Sequence, residues 1–282
     1  MSASAPRRKL QAKVETVTPH RAARWLQDNR PTGERICRNR NVKPTKVAEY
    51  AKMMSEKRWV LNGSAIALDN NGWLIDGQHR LHACISAQVP FDTLVVRGCG
   101  ERAAETIDTG EIRRPSDLLF MNGSENTVAL SAALNLLWFH ENGHLNRINN
   151  TTLKLRKIDT IDFSGRHEGL AESVVRTNQA TVKKLMPLSH AAFLHYVFSK
   201  KNPELAEAFF EALDSGENLT KANPIYVLRE KLRDLRVKQL GGRPDKKMLV
   251  AYTVKAWNAF VMGKKIRVLR LNPQMPIEKI AA

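Results

Sequence analysis

The chain has few cysteines and no long apolar segment. Its three cysteines, Cys37, Cys84 and Cys99, form no Cys-x-x-Cys pair and have no histidines at the spacing of zinc ligands. This pattern argues against a zinc module and favours buried thiols in a reducing compartment. No run approaches the roughly 18 apolar residues of a membrane helix, and residues 1–13 lack the apolar core of a signal peptide. We therefore expect a cytoplasmic protein with no membrane partner.

Acidic residues are also scarce. The chain has 28 Asp and Glu against 45 Lys and Arg, which gives a net charge of +17. A surface with this excess gains free energy by displacing counterions from a polyanion, so DNA is the expected partner. The acids that are present form no dense carboxylate cluster of the kind that two-metal nucleases use.

The length of the chain and the change in its secondary-structure pattern predict two domains. With 282 residues and 43% hydrophobic content, the chain can bury two cores. We interpret residues 1–16 as a flexible basic arm and residues 17–122, where short strands alternate with helices, as an α+β domain. Residues 123–282 are expected to form an all-α domain of about five or six helices. Its helix-start signals fall at Ser124, Ser189, Pro203, Pro224 and Asp245.

The most informative segment of the α+β domain is a strand, an Asp-Gly turn and a helix, from Gly72 to Ala83. A helix that begins at such a turn directs backbone N–H groups and its dipole towards an anion. Arg80, in the first helical turn, adds a forked guanidinium donor. We therefore predict a phosphate or nucleotide site at Gly77, Gln78, His79 and Arg80, with His79 as a candidate acid/base group.

This run resembles a known motif. Gly77-Gln78-His79-Arg80 is similar to the Gly-x-x-Arg phosphate motif at the strand–turn–helix junction of the ParB/sulfiredoxin-like superfamily. With the runs at residues 95–98 and 106–110, it looks like the ParB-like proteins of bacteriophages and mobile elements. The resemblance covers residues 35–120, and it implies a ParB/sulfiredoxin-like α+β domain before the helical domain, in a bacterial or phage-infected cell.

The resemblance also implies a nucleotide. Related domains act as CTP-dependent DNA clamps, ATP-dependent phosphoryl-transfer enzymes or nucleases. Gln78 and His79 stand where ParB motifs have Glu and Arg, so the choice between CTP and ATP stays open. Neither position is the cysteine that sulfiredoxin needs, which argues against peroxiredoxin repair.

A bound triphosphate implies Mg²⁺, and carboxylates near the motif are its natural ligands. Our first candidate is Asp108, in a Gly-containing loop, and the second is Asp76, just before the turn. Both also fit purely structural roles, Asp76 in the Asp-Gly turn and Asp108 as a cap of the next segment. Further candidates for phosphate contacts are Arg38, Arg40, Arg113 and Arg114.

The C-terminal half is the more basic one. Residues 126–282 contain 25 Lys and Arg against 14 Asp and Glu, with a concentration in residues 229–270. Stacked helices would turn this concentration into a positive face for DNA, and a solvated helical surface is the alternative. The candidate DNA contacts are Arg229, Arg233, Arg236, Lys238, Arg243, Lys246, Lys247, Lys264, Lys265 and Arg267.

Three functions remain open from the sequence. In the first, a triphosphate at the Gly77–Arg80 turn regulates DNA binding by the helical domain. The alternative is a metal-dependent phosphoryl-transfer enzyme, an NTPase or nuclease, in which Asp108 or Asp76 holds the metal and His79 acts as acid/base. The third is a non-catalytic interaction module. We also consider a homodimer, and the C-terminal half shows no clear helix-turn-helix for sequence-specific recognition.

Overall fold

The computed structural model describes residues 10–29, 41–100, 103, 107, 114–150, 153–238, 245–272 and 274–282. It is a mixed α/β structure with one small sheet and many helices. The chain divides into two compact units, Met1–Glu111 and Ile112–Ala282. Across the described ranges, no helix is long and apolar enough to cross a membrane.

The first unit contains a four-stranded sheet. Its strands are β1 (Gln11–Val17), β2 (Ala65–Asp69), β3 (Leu74–Asp76) and β4 (Phe91–Cys99), in the order β1-β4-β2-β3. β1 is antiparallel to β4, β2 and β3 form an antiparallel hairpin, and β2 is parallel to β4. A parallel pair needs a crossover connection, and helix α3 (Gln78–Ala87) forms part of it.

Two further helices pack against α3, and their starts follow from the sequence. In both α1 (Pro19–Asp28) and α2 (Pro44–Ser55), proline occupies the first helical turn, where no N–H is needed. The Thr18 side chain also accepts a hydrogen bond from the Arg21 N–H, which caps α1. The core of this unit lies between these helices and the sheet, and it includes fully buried Leu81 and Val95.

The expectation of a flexible arm through residue 16 is wrong for residues 11–16, which belong to β1. This edge strand leaves most of its side chains at least partly exposed, and the alternation of Ala12 and Val14 with polar neighbours is too short to reveal it. Its order comes from distant partners, because Val14 pairs with Leu94 and the Glu15 carboxylate binds Arg97. Such long-range pairing is invisible to local propensity.

The second unit is helical, as expected, but it has more helices than the five or six predicted. Nine lie within its described residues, together with two 3₁₀ turns at Leu145–Arg147 and Lys157–Asp159. The helices are α4 (Pro115–Met121), α5 (Thr127–Glu141), α6 (Thr160–Gly165), α7 (Gly169–Arg176), α8 (Ala180–Leu185), α9 (Leu188–Ser199), α10 (Pro203–Ser215), α11 (Pro224–Lys238) and α12 (Lys246–Val261). Helix α4 and three short helices, α6 to α8, account for the difference.

Helix α4 belongs to the helical unit, although the sequence pattern favours the end of the α+β domain for it. It packs against α5 and α6, and its Leu119 is 1% exposed within the core of that unit. The physical reason is burial, since Leu119 finds its apolar partners among the helices that follow.

Helix α9 runs through the centre of the helical unit. Its residues from His190 to Phe198 are all buried, and it packs against α5, α7, α10 and α12. Phe198 stacks on Trp257 of α12 with ring centroids 4.3 Å apart. The C-terminal segment then lies along α12, where the Asn258 side chain donates to the Lys279 carbonyl and accepts from the Ala281 N–H.

Candidate functional site

The turn at Gly77 requires glycine. Its φ is +106°, and a Cβ at this position would overlap the Ile66 side chain and lie 3.3 Å from Ile66 Cα. The Gly77 carbonyl accepts the N–H groups of Arg80 and Leu81 at 3.0 and 3.1 Å, which starts α3 immediately. The positive end of the α3 dipole therefore lies beside the first residues of β2.

Arg80 is held inside this turn. It is 7% exposed, and its Nη2 donates to the Ala65 carbonyl at 2.7 Å and to Asp76 Oδ2 at 2.9 Å. Its Nη1 is buried and has no hydrogen-bond partner among the described residues. An orphaned buried donor costs free energy, and an added acceptor would satisfy it. The structure thus brings Asp76, Gly77 and Arg80 together around a guanidinium with donor capacity to spare.

His79 has a different role from the one predicted. It is 8% exposed, and its Nε2 accepts the backbone N–H of Lys43 at 3.0 Å. Lys43 is the residue that precedes α2, so this bond fastens the start of α2 to α3. A ring nitrogen whose lone pair is used in this way cannot also accept a proton from a substrate. Acid/base chemistry at Nε2 of His79 is therefore not supported, and the adjacent Gln78 is equally buried.

The carboxylates predicted as metal ligands do not form a resident metal centre in the described residues. One oxygen of Asp76 is bound to Arg80. No group of three or more His, Cys, Asp or Glu side chains that could hold a metal occurs in the described part of the chain. Mg²⁺ bound with phosphates needs only one or two protein carboxylates, so Asp76 alone would be a partial site. Asp108 lies outside the described residues.

The predicted auxiliary arginines divide between two cases. Arg38, Arg40 and Arg113 lie outside the described residues. Arg114 belongs to the helical unit, where it precedes α4 and its N–H donates to the Asp117 carboxylate at 2.5 Å. The local contacts of Arg114 are therefore those of a helix start.

The first unit also contains a polar groove that the sequence did not predict. It has a volume of about 690 Å³ and lies beside the hairpin turn at residues 70–72, with Trp25 and Arg97 in its lining. Glu15 binds Arg21 at 2.6 Å and both terminal nitrogens of Arg97, and the bond from Arg97 lowers the pKa of Glu15. The two arginines share one carboxylate, and the groove is also lined by Arg24, Asp28 and Asp69, so with Glu15 its positive and negative charges are equal in number. Only knowledge that β1 pairs with β4 could have revealed this groove, because that pairing brings Glu15 and Arg97 together.

Two of the predicted DNA contacts are used inside the fold. Arg229 is 8% exposed, and its Nη1 donates to the carbonyls of Leu213 and Asp214 at the end of α10. Arg236 donates in the same way to the carbonyls of Lys183 and Lys184 at the end of α8. Arginine placed at a helix C-terminus satisfies orphan carbonyls and the negative end of the dipole. Burial removes Arg229 from the candidate DNA contacts, and capping explains Arg236.

The other predicted contacts differ in how their charge is compensated. Arg233 pairs with Glu230 at 2.5 Å on the surface of α11. Lys246 is exposed and Lys247 half-buried at the start of α12, whereas the Lys238 side chain and Arg243 lie outside what the structure describes. Lys264, Lys265 and Arg267 are exposed and, among the described residues, form no ion pair.

Comparison of the chain with protein-family models, with curated proteins and with solved structures finds no match. What this chain does is therefore inferred from its own residues.

Proposed function

We propose that the first unit binds the phosphate groups of a nucleoside triphosphate, CTP or ATP, at the N-terminus of α3, and that the bound nucleotide regulates association of the chain with DNA. The observation that carries this proposal is the buried Arg80 guanidinium beside a helix N-terminus, whose Nη1 has no acceptor among the residues that the structure describes. We extend the proposal to the fold and suggest a ParB/sulfiredoxin-like domain, because the Gly77 turn joins strand and helix as the resemblance implies.

The surroundings of Arg80 suit an anion. Asp76 and the Ala65 carbonyl fix Nη2 before any ligand is present, so binding would cost little side-chain entropy. The α3 dipole adds a partial positive charge on the same side. The Arg80 guanidinium and the α3 dipole therefore both favour negative charge at this turn, part of which Asp76 already supplies.

The same geometry favours binding over turnover. Bound Mg²⁺ would neutralise phosphate charge, and it would be delivered with the triphosphate because the described residues offer no complete metal centre. His79 is engaged with Lys43, so the predicted general acid of an NTPase or nuclease is not in place. We therefore propose a regulatory nucleotide site. DNA association is supported by the net charge of +17 and by exposed cations of the helical unit that form no ion pair within its described residues.

The test is calorimetric titration of the full chain with ATP, CTP, GTP and UTP in the presence of Mg²⁺. The variant Arg80→Lys keeps the charge but loses the fork that reaches Ala65, Asp76 and the ligand. We expect selective binding by the unmodified chain and a loss of at least about tenfold, about 1.4 kcal/mol, in Arg80→Lys. Arg24→Lys, in the same unit but on the exposed surface of α1, serves as the matched control and should bind normally.

Two results would contradict the proposal. Binding of no nucleotide by the correctly folded chain would leave a nucleotide-free DNA-binding protein or an interaction module. Equal binding by Arg80→Lys and Arg24→Lys would mean that the ligand is held elsewhere. Equilibrium DNA binding measured with and without the preferred nucleotide then tests regulation, and identical affinities would remove that part of the proposal.

A further inference from the structure

We infer that the helical unit contacts the phosphate backbone of duplex nucleic acid through a basic cluster formed by Lys221, Lys264, Lys265 and Arg267. The inference rests on the proposed association with DNA and specifies where it takes place. It adds Lys221, which the sequence did not single out. The basic cluster does not include Arg229, which is buried.

One backbone hydrogen bond assembles the basic cluster. The Ile266 N–H donates to the Ala222 carbonyl at 2.9 Å, which joins the segment after α12 to the loop before α11. Lys221 is the neighbour of Ala222, and Lys265 and Arg267 flank Ile266. The Lys264 N–H donates to the Ala259 carbonyl at 2.9 Å, so the segment continues directly from α12. This contact brings the backbone around Lys221 next to the backbone around Lys265 and Arg267, although these residues lie more than 40 positions apart in the chain.

The four cations are exposed and uncompensated. Among the described residues, none of them forms an ion pair with a carboxylate. In the same unit, Arg233 and Lys255 pair with Glu230 and Glu278. The dipole of α12 favours a cation at Lys264, but this effect fades within about one helical turn. It gives no reason for Lys221 or Arg267 to gather there, whereas a bound polyanion does.

The composition of the two segments selects the kind of polyanion. Residues 217–223 and 263–272 contain no aromatic residue, and proteins that bind single strands rely on aromatic stacking. Lys and Arg can also read guanine, but none of the four cations lies on a helix of the described structure that could enter the major groove. The basic cluster therefore fits phosphates and predicts binding that is independent of sequence and strongly dependent on salt.

The experiment measures fluorescence anisotropy of two unrelated 30-base-pair duplexes with the full chain over a range of salt concentrations. The test variant combines Lys221→Gln, Lys264→Gln, Lys265→Gln and Arg267→Gln. The control variant removes the same charge with Arg147→Gln, Lys154→Gln, Lys157→Gln and Arg166→Gln, at exposed positions between α5 and α7. For four lost phosphate contacts, we expect affinity to fall about 30-fold near 0.1 M salt and the salt slope to shrink by about 3 to 4. The control should change affinity less than about threefold, through net charge alone.

Each alternative outcome has a distinct meaning. If the unmodified chain binds neither duplex, the proposed association with DNA fails, and this inference fails with it. If the chain binds and the test variant matches the control, DNA association stands but the basic cluster is not its surface. A third measurement uses vesicles containing phosphatidylserine. Loss of vesicle binding in the test variant with unchanged DNA affinity would overturn the inference in favour of a membrane contact.

Further measurements distinguish an effect of the basic cluster from a loss of folding and from an effect of the nucleotide site. Circular dichroism should show the same helical content in both fourfold variants, because the altered side chains are exposed. The two half variants, Lys221→Gln with Arg267→Gln and Lys264→Gln with Lys265→Gln, should each lose about half of the total effect on the logarithmic scale. Arg80→Lys, measured without nucleotide, should retain the full salt slope. A reduced slope in that variant would contradict the assignment of these contacts to the helical unit.

Discussion

The two units use their cations in different ways. In the first unit the described arginines are held by acceptors of the fold, as Arg80 is by Asp76 and Arg97 by Glu15. In the helical unit some arginines, such as Arg229, cap helices, while the basic cluster has no acidic partner among the described residues. A net charge of +17 therefore conceals three populations, and only burial and pairing distinguish them. Exposed cations without acceptors are the ones available to a nucleic-acid backbone, whereas Arg80 keeps only its Nη1 for a ligand.

The largest expected effect is at a buried capping arginine. Arg229→Met removes the donor to the carbonyls of Leu213 and Asp214 and leaves both unsatisfied. We expect a loss of about 3 to 4 kcal/mol in the free energy of unfolding, with nearly unchanged DNA affinity. Urea denaturation, together with hydrogen exchange in α10 and α11, measures the free energy of unfolding.

The matched control for this variant is Arg233→Met, one turn further along α11 and exposed. Its pair with Glu230 is a surface ion pair, so its removal should cost less than about 0.5 kcal/mol. If Arg229→Met instead weakens DNA binding at unchanged stability, the division between capping and binding cations is wrong.

Acidification should distinguish the units next. Burial lowers the pKa of His190 to about 4, and it also lowers the pKa of His195, both on the central helix α9. Because their folded-state pKa lies below the unfolded value near 6.5, protonation favours unfolding. This stability is fully present above about pH 6.5 and is lost as the pH falls towards 4, by up to about 3 kcal/mol for His190.

The measurement for His190 compares the free energy of unfolding of the helical unit at pH 7 and pH 4.5, read from hydrogen exchange in α9. The variant His190→Phe fills the same apolar surroundings without a titrating group, so its stability should depend less on pH. The first unit of the same sample provides the internal reference. An identical pH dependence in His190→Phe and in the unmodified chain would show that other groups are responsible.

Much of the fold near the site could be predicted from the sequence. The strand, Asp-Gly turn and helix expected from Gly72 to Ala83 are present as β3, the turn at Gly77 and α3. Proline also occupies the first turn of α2. These signals are local, because proline suits a first turn and glycine tolerates the positive φ that starts α3. The neighbourhood of Gly77 and Arg80 follows from the same local geometry.

The rest depends on partners that are distant in the chain. β1 exists because it pairs with β4, some 80 residues away, and its own residues are mostly polar. Arg229 is a cap only because α10 ends beside it, and His79 is an acceptor only because Lys43 precedes α2 there. The sequence shows which residues are basic or could act as acid and base. Tertiary contacts decide which of their nitrogen atoms remain available to a ligand.

Glycine substitutions in the first unit should give an intermediate effect. Gly77→Ala combines an unfavourable φ of +106° with overlap against Ile66, so we expect a loss of about 2 to 3 kcal/mol and of nucleotide binding. Gly72→Ala has a similar φ of +83° but open space around its Cβ, so it should cost only about 1 kcal/mol. Hydrogen exchange in α3 and β2 measures both. Equal losses would mean that close packing at Gly77 contributes nothing.

The smallest expected effect has the opposite sign. Lys221 and Arg267 lie among like charges without an acidic partner in the described structure, so the combined variant Lys221→Gln and Arg267→Gln should raise stability by about 0.3 kcal/mol at low salt. At 1 M salt, where screening acts within about 3 Å, the gain should disappear. Differential scanning calorimetry at both salt concentrations measures it. A loss of stability that salt does not change would indicate that these side chains have an acceptor within the fold, as Arg229 has. A gain in stability that salt removes, together with weaker DNA binding, would show that the two cations repel their neighbours in the free protein and that bound DNA relieves this repulsion.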